Sequence, residues 1–182
     1  MKFMIEDKVG QPVANIEETR IPLLSVVGIS NSGKSTVLVK LVGALKRRGY
    51  RVAVIKHSRG FEVDQPGKDS WRYREVGAGP VVLAGPKQMV LFRSWEQEWE
   101  PEDIARGLYD VDLVITEGYK LGQRPKIEVF REEISSELIC DPEDLLAVVS
   151  DSQRNWGVPV FNLEDIEGLA NFVETKFLGK VG

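Results

Sequence analysis

The sequence has few of the residues that mark secreted, membrane-bound or metal-carrying proteins. Its 182 residues include one cysteine, Cys140, and one histidine, His57. A lone cysteine excludes an intrachain disulfide and is typical of a reducing compartment, so we expect a cytoplasmic protein. There is no secretory signal and no apolar run of about 20 residues, so we expect no membrane association. The net charge of −4 lacks the basic excess of a nucleic-acid-binding protein, so we expect no nucleic-acid partner.

The remaining composition is that of one ordinary globular domain. Hydrophobic residues make up 42% of the chain and charged residues 29%, which is sufficient for a core that needs no disulfide bonds. Residues 1–21 differ from the rest because they are polar and mixed in charge, with only a weak strand pattern at residues 3–5. We therefore divide the chain into an N-terminal extension, residues 1–21, and one domain, residues 22–182.

From residue 22 onward, short apolar runs alternate with segments of helical periodicity. This alternation predicts a three-layer α/β fold, with a mostly parallel sheet and helices on both of its faces. Two apolar runs that flank turn residues at 85–88 predict a β-hairpin insertion. The predicted strands span residues 23–27, 51–55, 81–84, 89–92, 113–116, 127–130, 145–149 and 158–161. The predicted helices span residues 33–48, 70–76 and 163–177, and another helix begins at Pro101.

A glycine-rich segment follows the first predicted strand and matches the pattern G-x-x-x-x-G-K-S from Gly28 to Ser35. Its glycines allow the backbone to curl so that successive N–H groups point at phosphate oxygens, and the following helix adds the positive end of its dipole. Lys34 can reach the β- and γ-phosphates, and the Ser35 hydroxyl can bind Mg²⁺. The pattern predicts a phosphate-binding loop (P-loop) and a fold of the P-loop NTPase type. The predicted nucleotide contacts in this segment are Gly28, Ser30, Asn31, Ser32, Gly33, Lys34, Ser35 and Thr36.

Carboxylates near the ends of other predicted strands are candidate metal ligands, since ligands gather at the carboxyl ends of parallel strands. Glu117 follows an apolar strand and can bind Mg²⁺ with Ser35 or orient a water, whereas Asp112 begins that strand and points to the far edge. Asp64 lies in the polar loop after the second strand, where it is either another Mg²⁺ ligand or a solvated turn carboxylate. We therefore predict a metal site of Ser35, Glu117 and Asp64, and a catalytic set of Lys34, Glu117 and Asp64.

Other residues that follow predicted strands are candidate nucleotide contacts. Lys56 and His57 follow the second strand, and His57 either contacts a phosphate or acceptor or is a structural imidazole. Asp151 follows the strand at residues 145–149, and it either accepts hydrogen bonds from the guanine edge or is an ordinary loop aspartate. The N-K-x-D signature of regulatory GTPases is absent from the sequence. The residue pattern alone therefore does not decide between GTP and ATP.

Two further groups of side chains have more than one interpretation. Trp95 and Trp99 are spaced as neighbours on a helix face, so we expect them to pack on the core, with a partner contact as the alternative. Several basic residues near the predicted site either form a cationic surface for a pterin phosphate or a second nucleotide, or lie on a solvated face. These basic residues are Arg72, Arg74, Lys120, Arg124 and Lys126.

Several segments together resemble the molybdopterin-guanine dinucleotide biosynthesis protein B family, over about residues 22–178. They are, in chain order, G-I-S-N-S-G-K-S-T, I-K-H, D-x-P-G-K-D-S-W-R, I-T-E-G-Y-K and P-K-I-E-V-F-R. The resemblance implies a homodimeric protein that binds GTP, hydrolyses it weakly and assists the guanylyltransferase that joins GMP to molybdopterin. The family often has a second histidine soon after the Lys-His pair. Arg59, Gly60 and Phe61 occupy that stretch here, so we expect no role that needs two imidazoles.

Two other classes of protein use the same loop. A small-molecule kinase needs an acceptor pocket and a lid, and the loop at residues 56–74 is a candidate for the lid. A GTP-dependent metallochaperone of the hydrogenase or urease type uses clusters of cysteine and histidine, which a chain with one of each does not offer. We therefore expect an accessory protein of molybdenum cofactor maturation that uses GTP and Mg²⁺, with the guanylyltransferase and molybdopterin as candidate partners.

Overall fold

A computed structural model describes residues 21–61 and 63–179 of the chain. The predicted N-terminal extension and its weak strand therefore lie outside the described residues, apart from Ile21. Within the described part, helices separate the strands up to residue 105, apart from a hairpin, whereas the four strands between residues 113 and 162 follow one another without an α-helix between them. None of the helices described is both long and apolar enough to span a membrane.

The strands lie close to their predicted positions. In chain order they are β1 (Leu23–Val27), β2 (Val52–Lys56), β3 (Val81–Ala84), β4 (Met89–Phe92), β5 (Leu113–Glu117), β6 (Lys126–Phe130), β7 (Leu145–Ser150) and β8 (Val160–Asn162). The α-helices are α1 (Lys34–Arg47), α2 (Asp69–Glu75), α3 (Pro101–Ala105) and α4 (Ile166–Val173). A 3₁₀ turn at Pro142–Asp144 precedes β7, and a π-helical turn at Glu174–Leu178 follows α4.

Six strands form one parallel sheet in the order β2-β5-β1-β6-β7-β8. In this sheet β1 lies between β5 and β6, and Val26 is in register with Glu117 on one side and Ile127 on the other. At the edge, Lys56 of β2 is in register with Glu117 of β5. Because the strands are parallel, their carboxyl ends share one edge of the sheet, here named the carboxyl rim. Their amino ends share the opposite edge, here named the amino rim.

The predicted hairpin is present as a separate two-stranded sheet in which β3 and β4 pair antiparallel. Val81 at its start is buried, but the other apolar side chains of the hairpin are more exposed. The side chains that are 38 to 68% exposed are Val82, Leu83, Met89, Val90 and Leu91. The hairpin therefore presents an apolar surface that the rest of the described chain leaves accessible.

The main core lies between the sheet and the two longest helices, α1 and α4, which contact each other on one face. Leu24 of β1 and Ile115 of β5 are fully buried in this layer together with Leu41 of α1 and Leu169 of α4. Spacing of the apolar residues along α1 and α4 directs one side of each helix towards the sheet, as the helical periodicity predicts.

The opposite face of the sheet is covered as well. Val114 and Val148, whose side chains alternate to that face, are both 0% exposed. Phe130 and Val148 pack there with Trp156 and Leu138, which lie in the loops that flank β7. Burial of both faces explains why the strands read as near-continuous apolar runs. The predicted α/β fold with a mostly parallel sheet is confirmed.

Three helices begin at different residues from those that the sequence predicts, and α1 differs by one residue, since it begins at Lys34 rather than residue 33. The short helix α2 begins at Asp69 rather than Ser70, and it follows Lys68, which has an extended backbone. The closing helix α4 begins at Ile166 rather than residue 163. Its start is fixed because the Asp165 side chain accepts the backbone N–H of Gly168 at 3.0 Å and caps the helix.

The expectation that Trp95 and Trp99 pack on the core is wrong. The segment at residues 93–100 is not helical. Instead, the two indole rings stack on each other with centroids 5.6 Å apart, and Trp95 is 47% exposed. The residue before a proline is disfavoured in the helical region, and Glu100 before Pro101 is extended, with ψ of 149°. A helix therefore starts only at Pro101, and the four-residue spacing of the tryptophans does not bring them to a helix face.

Candidate functional site

The chain between β1 and α1 forms a tight loop at the carboxyl rim. Gly28 has a φ of 142°, and a Cβ built there would collide with the Val129 carbonyl oxygen and lie 2.9 Å from Ser32 Oγ. Only glycine therefore fits this close approach to β6. Gly33, with a φ of 93°, is the N-cap residue of α1, and Asn31 within the loop is also left-handed, with a φ of 67°. The loop thus ends at the start of α1, where the helix has backbone N–H groups without acceptors of its own.

Lys34 and Ser35 begin α1 and place an ammonium and a hydroxyl beside the loop. The Lys34 ammonium donates to the Ile29 carbonyl oxygen at 2.6 Å, across the loop. Burial lowers the pKa of Lys34, and the nearby Glu117 carboxylate opposes this shift. The Ser35 hydroxyl donates to Glu117 Oε1 at 2.8 Å. The structure therefore brings together the predicted hydroxyl and carboxylate ligands of a metal ion.

Lys56 joins the same cluster from the edge strand. Its Nζ lies 3.3 Å from Glu117 Oε1, as the register of β2 and β5 requires. The Glu117 side chain is 14% exposed and the Lys56 side chain 63% exposed. The remaining predicted contacts of this segment, Ser30 in the loop and Thr36 in α1, are exposed. One continuous site at the carboxyl rim is therefore formed by the loop together with Lys34, Ser35, Lys56 and Glu117.

Ser32 contributes a buried hydroxyl to the loop. The residue is 1% exposed, and its Oγ has no hydrogen-bond partner within the part of the chain that the structure describes. Its backbone N–H donates to the Ile29 carbonyl oxygen at 3.2 Å. A buried hydroxyl without a partner is costly, so the site fits a ligand that offers an oxygen to it.

His57 lies at the carboxyl rim beside Glu117 but is held by other partners. Its Nε2 is 2.6 Å from Glu98 Oε1, and its ring centroid is 4.8 Å from that of Tyr119. A Cβ built on Gly118 would lie 3.1 Å from His57 Cβ, so the turn after β5 packs closely on the ring. These contacts are those of a structural imidazole, and a contact from His57 to a nucleotide stays a prediction.

Asp64 uses its carboxylate for contacts to its own loop and to the helix α2 that follows it. It accepts hydrogen bonds from the Ser70 hydroxyl and the Gln65 N–H, both at 3.0 Å, and pairs with Arg74 at 3.4 Å. The structure therefore does not join Asp64 to the pair formed by Ser35 and Glu117, and its role as a metal ligand stays a prediction. No group of three or more His, Cys, Asp or Glu residues within 21–61 and 63–179 is arranged to hold a metal ion.

Asp151 lies at the carboxyl rim after β7, as its position in the sequence predicts. Its Oδ1 accepts the backbone N–H of Glu132 at 3.2 Å, so it fixes the turn that follows β6. The residue is exposed. Recognition of guanine by Asp151 stays a prediction.

Two charged residues on or after β6 belong to this region, although neither is among the predicted site residues; both lie in the segment P-K-I-E-V-F-R. Arg131 follows β6, and its Nε lies 3.7 Å from a Cβ built on Gly33. Glu128 is 1% exposed, accepts the backbone N–H groups of Ile139 and Cys140 at 2.8 and 3.1 Å, and has a pKa raised by burial. The signal for Arg131 is its place after an apolar strand, the same position that indicates Glu117.

Two of the five basic residues, Arg124 and Lys126, fit neither of the interpretations that the sequence leaves open, since they lie neither on a cationic surface nor on a solvated face. Lys126 is 2% exposed, and its Nζ donates to the Gly122 carbonyl oxygen at 2.6 Å. The Arg124 side chain is 10% exposed and pairs with Glu100 and with Glu102, the latter at 2.8 Å. The other members are exposed or partly exposed, namely Arg72, Arg74 and Lys120.

The geometry of the rim matches the chemistry of nucleotide phosphates. Loop amides and the Lys34 ammonium can bind phosphate oxygens, while a hydroxyl next to a carboxylate is a ligand pair that suits Mg²⁺. The tight approach at Gly28 and the unpartnered Ser32 hydroxyl fit the same ligand. Together with the parallel sheet, this site defines an α/β protein of the P-loop NTPase-like class.

Comparisons with known proteins identify the family within that class. The family model for molybdopterin guanine dinucleotide synthesis protein B (MobB) matches residues 23–151. The chain is 37% identical over 164 residues to the molybdopterin-guanine dinucleotide biosynthesis adapter protein of Escherichia coli strain K12, with 86% of this chain and 93% of that protein covered. The protein of the same name from Haemophilus influenzae is 36% identical over 159 residues, with 85% and 89% covered.

Solved structures agree with this assignment. A crystal structure of molybdopterin-guanine biosynthesis protein B has a TM-score of 0.66 and 32% identity, and the match covers 86% of this chain and 99% of that one. A MobB homologue from Bacillus stearothermophilus has a TM-score of 0.63 and 25% identity, with 87% and 99% covered. The chain therefore belongs to the MobB family, whose curated relatives are adapter proteins of molybdopterin guanine dinucleotide biosynthesis. The family resemblance that the motifs predict is confirmed.

Proposed function

We propose that this protein is an adapter of molybdopterin guanine dinucleotide formation that binds Mg²⁺ and GTP and is at most a weak GTPase. The observation that carries the proposal is the pairing of Ser35 with Glu117 at 2.8 Å beside a loop that is closed by Lys34. The Ser35 hydroxyl, the Glu117 carboxylate and the Lys34 ammonium lie close together, which is the arrangement that binds a polyphosphate together with its metal ion.

Each part of the site has a distinct task in this proposal. The loop amides, the Ser32 hydroxyl and Lys34 bind phosphate oxygens, and Ser35 and Glu117 hold the metal ion. When bound, Mg²⁺ supplies neutralisation of the charge between the β- and γ-phosphates. Lys56 adds a second positive charge beside Glu117. Turnover is slow because none of these groups is placed as a strong general base for an attacking water.

The adapter role implies a partner enzyme, for which we propose the guanylyltransferase that joins GMP to molybdopterin, with molybdopterin as a second ligand. The names of the curated relatives support this pathway. Membership of the family also favours an adapter over a small-molecule kinase or a metallochaperone. The choice of GTP over ATP is supported by the family alone.

Isothermal titration tests the nucleotide part of the proposal. Wild-type protein and Lys34→Ala are titrated with Mg·GTP and with Mg·ATP. We expect the wild type to bind GTP more tightly than ATP, and the variant to lose about 100-fold in affinity because a charge-assisted contact to phosphate is removed. Lys40→Ala is the control, since Lys40 is a lysine of the same helix that pairs with Glu164 away from the loop.

Three outcomes of this titration count against different parts of the proposal. Equal affinities for GTP and ATP would contradict the guanine assignment but leave the phosphate site intact. An unchanged affinity in Lys34→Ala would contradict the phosphate site itself. A comparable loss in Lys40→Ala would show that the effect depends on net charge rather than on contact with the nucleotide.

We also propose that the protein is a homodimer and that the exposed hairpin β3–β4 contributes to its interface. The apolar side chains on this hairpin are accessible, whereas an isolated two-stranded hairpin is only marginally stable in water. Light scattering of the variant Leu91→Glu, whose parent residue is 50% exposed, should show a shift from dimer to monomer. Val39→Glu on α1, where the valine is 72% exposed, should remain a dimer. A wild type that is monomeric at micromolar concentration would contradict the proposal.

A further inference from the structure

Arg131 lies on the flank of the loop opposite to Glu117. Strand β1 separates β5, which carries Glu117, from β6, which ends just before Arg131. The Nε and Nη2 atoms of Arg131 lie 3.7 and 4.0 Å from the position of a Cβ built on Gly33. Arg131 also lines a narrow crevice beside the loop, together with Ile29 and Ser32. The guanidinium is therefore packed against the loop rather than directed away from it.

The backbone at Arg131 is held in place by the neighbouring strand end. The Arg131 carbonyl oxygen accepts the N–H groups of Ile134 and Ser135, both at 3.1 Å, which closes a tight turn. The next residue, Glu132, donates its N–H to Asp151 Oδ1 at 3.2 Å. These bonds fix the point from which the arginine side chain extends.

The guanidinium itself has a weak partner. One nitrogen, Nη1, lies 3.2 Å from Glu133 Oε1, and the Glu133 side chain is 66% exposed. Exposed ion pairs of this kind add little stability and are easily exchanged for a better anion. Phosphate is such an anion, because a guanidinium can donate two parallel hydrogen bonds to its oxygens. The buried Ser32 Oγ, which has no partner in the described part of the chain, lines the same crevice.

The position of the metal ligands sets the direction of a bound nucleotide. In proteins with this loop the metal bridges the β- and γ-phosphates. Ser35 and Glu117 would hold the metal ion, and Glu117 lies on the β5 flank of β1. A nucleotide bound with its γ-phosphate on that flank would extend its α-phosphate and nucleoside towards β6. Arg131 is the cation that this direction brings next to the α- and β-phosphates.

We propose that Arg131 binds the α- and β-phosphates of the nucleotide, so that it contributes equally to the affinity for the triphosphate and the diphosphate. The inference rests on the proposed function, since it needs a nucleotide in the loop. It assigns Glu132 and Asp151 a positioning role, because they fix the turn that carries Arg131. The two flanks of the loop then have separate tasks, with metal and γ-phosphate beside Glu117 and the diphosphate beside Arg131.

Titration of Arg131→Ala with Mg·GTP and Mg·GDP tests the inference. We expect both affinities to fall by the same factor, about 10- to 100-fold, as for the loss of a charged hydrogen bond. Arg131→Lys keeps the charge but not the planar fork and should lie between the wild type and Arg131→Ala. Arg47→Ala is the matched control, since it makes the same change in net charge at the far end of α1, where Arg47 is 69% exposed. Its affinities should equal those of the wild type.

The possible results separate this inference from the proposed function. Unchanged affinities in Arg131→Ala would overturn the inference alone, and so would a loss confined to GTP, because that would place Arg131 at the γ-phosphate. A wild type that binds neither nucleotide would overturn the proposed function and the inference with it. Thermal unfolding without nucleotide shows whether Arg131→Ala is folded. If it is not, Arg131→Gln, which keeps a long polar side chain, is judged by the same criteria.

Discussion

Strand β5 has a carboxylate near each end: Asp112 directly precedes the strand at the amino rim, and Glu117 is its last residue at the carboxyl rim. In the described part of the chain, all the hydrogen bonds to the Asp112 carboxylate come from one residue, Arg51. The carboxylate accepts the Arg51 backbone N–H at 2.7 Å, the Arg51 Nε at 3.2 Å and the Arg51 Nη2 at 2.8 Å. Glu117 instead shares one oxygen between the Ser35 hydroxyl and the Lys56 ammonium, which come from two different elements. The two carboxylates therefore differ in the number and origin of their partners.

This difference separates a structural carboxylate from one that can bind a ligand. The Arg51 guanidinium uses two nitrogens and matches both oxygens of Asp112, which ties the start of β2 to the start of β5. The partners of Glu117 can each be taken over by a ligand, because a hydroxyl can bind a metal ion and an ammonium can bind a phosphate. A charged side chain at a strand end is thus a candidate site when its partners are ones that a ligand can replace.

Among the variants that test the contrast between Asp112 and Glu117, we expect Glu117→Gln to have the largest effect, on the Mg²⁺ dependence of GTP binding. It removes the negative charge that would hold the metal ion in the proposed site but keeps the size and the ability to accept a hydrogen bond from Ser35. We expect the Mg²⁺ concentration that half-saturates GTP binding to rise by at least about 10- to 100-fold, which is the usual cost of losing even a group that only supports the ligands of a metal site. Titration of Mg²⁺ at fixed GTP measures this shift.

The matched control is Asp112→Asn, the same chemical change at the other end of β5. It should leave the Mg²⁺ dependence of GTP binding unchanged. A Glu117→Gln variant with wild-type Mg²⁺ dependence would break the comparison, because Glu117 would then be as structural as Asp112. Equal shifts in both variants would show that the stability of β5, rather than contact with the metal, controls binding.

Much of the fold and half of the site could be predicted because the signals are local. Apolar runs locate the strands of the parallel sheet, and turn residues locate the hairpin β3–β4. Glycine spacing locates the loop, and the rule that ligands gather at the carboxyl ends of strands locates Glu117. Each of these signals lies within a short stretch of sequence.

The part of the site on β6 depends on strand order, which no local pattern shows. Arg131 approaches Gly33 only because β6 pairs with β1, and that pairing joins residues far apart in the chain. Lys126 suggested a surface cation from the sequence, but β6 is an interior strand, so its ammonium is buried and donates to the Gly122 carbonyl oxygen. The charge of a side chain therefore does not show from the sequence whether another part of the same chain is its hydrogen-bond partner.

Asp64 illustrates the limit of the same reasoning in a loop. A carboxylate in a polar segment near a phosphate site is compatible with metal binding and with local capping. Here the Ser70 hydroxyl and the Gln65 N–H occupy one oxygen, and Arg74 pairs with the other. These bonds, from the loop and from helix α2, occupy the oxygens that a metal ion would need.

The smallest expected effect is on the stability of Asp112→Asn. We expect a loss of about 1 kcal/mol in the free energy of unfolding at neutral pH, because one hydrogen-bonded, partly exposed ion pair is weakened. The Arg51 side chain holds the pKa of Asp112 below its ordinary value of 3.8. The folded protein therefore favours the ionised form, and the stabilisation by Asp112 is present above pH 3.8 and is lost as the pH falls through the lower pKa of the folded state.

Urea unfolding of the wild type and Asp112→Asn over a pH series measures this effect. The difference in stability between the two proteins should be constant at neutral pH and should shrink as the pH falls below 3.8. A difference that persists at the lowest pH would mean that the side-chain amide disturbs packing rather than charge. A difference of zero at neutral pH would mean that the Arg51–Asp112 pair stabilises nothing, and the two ends of β5 could no longer be contrasted as a structural and a ligand-binding carboxylate.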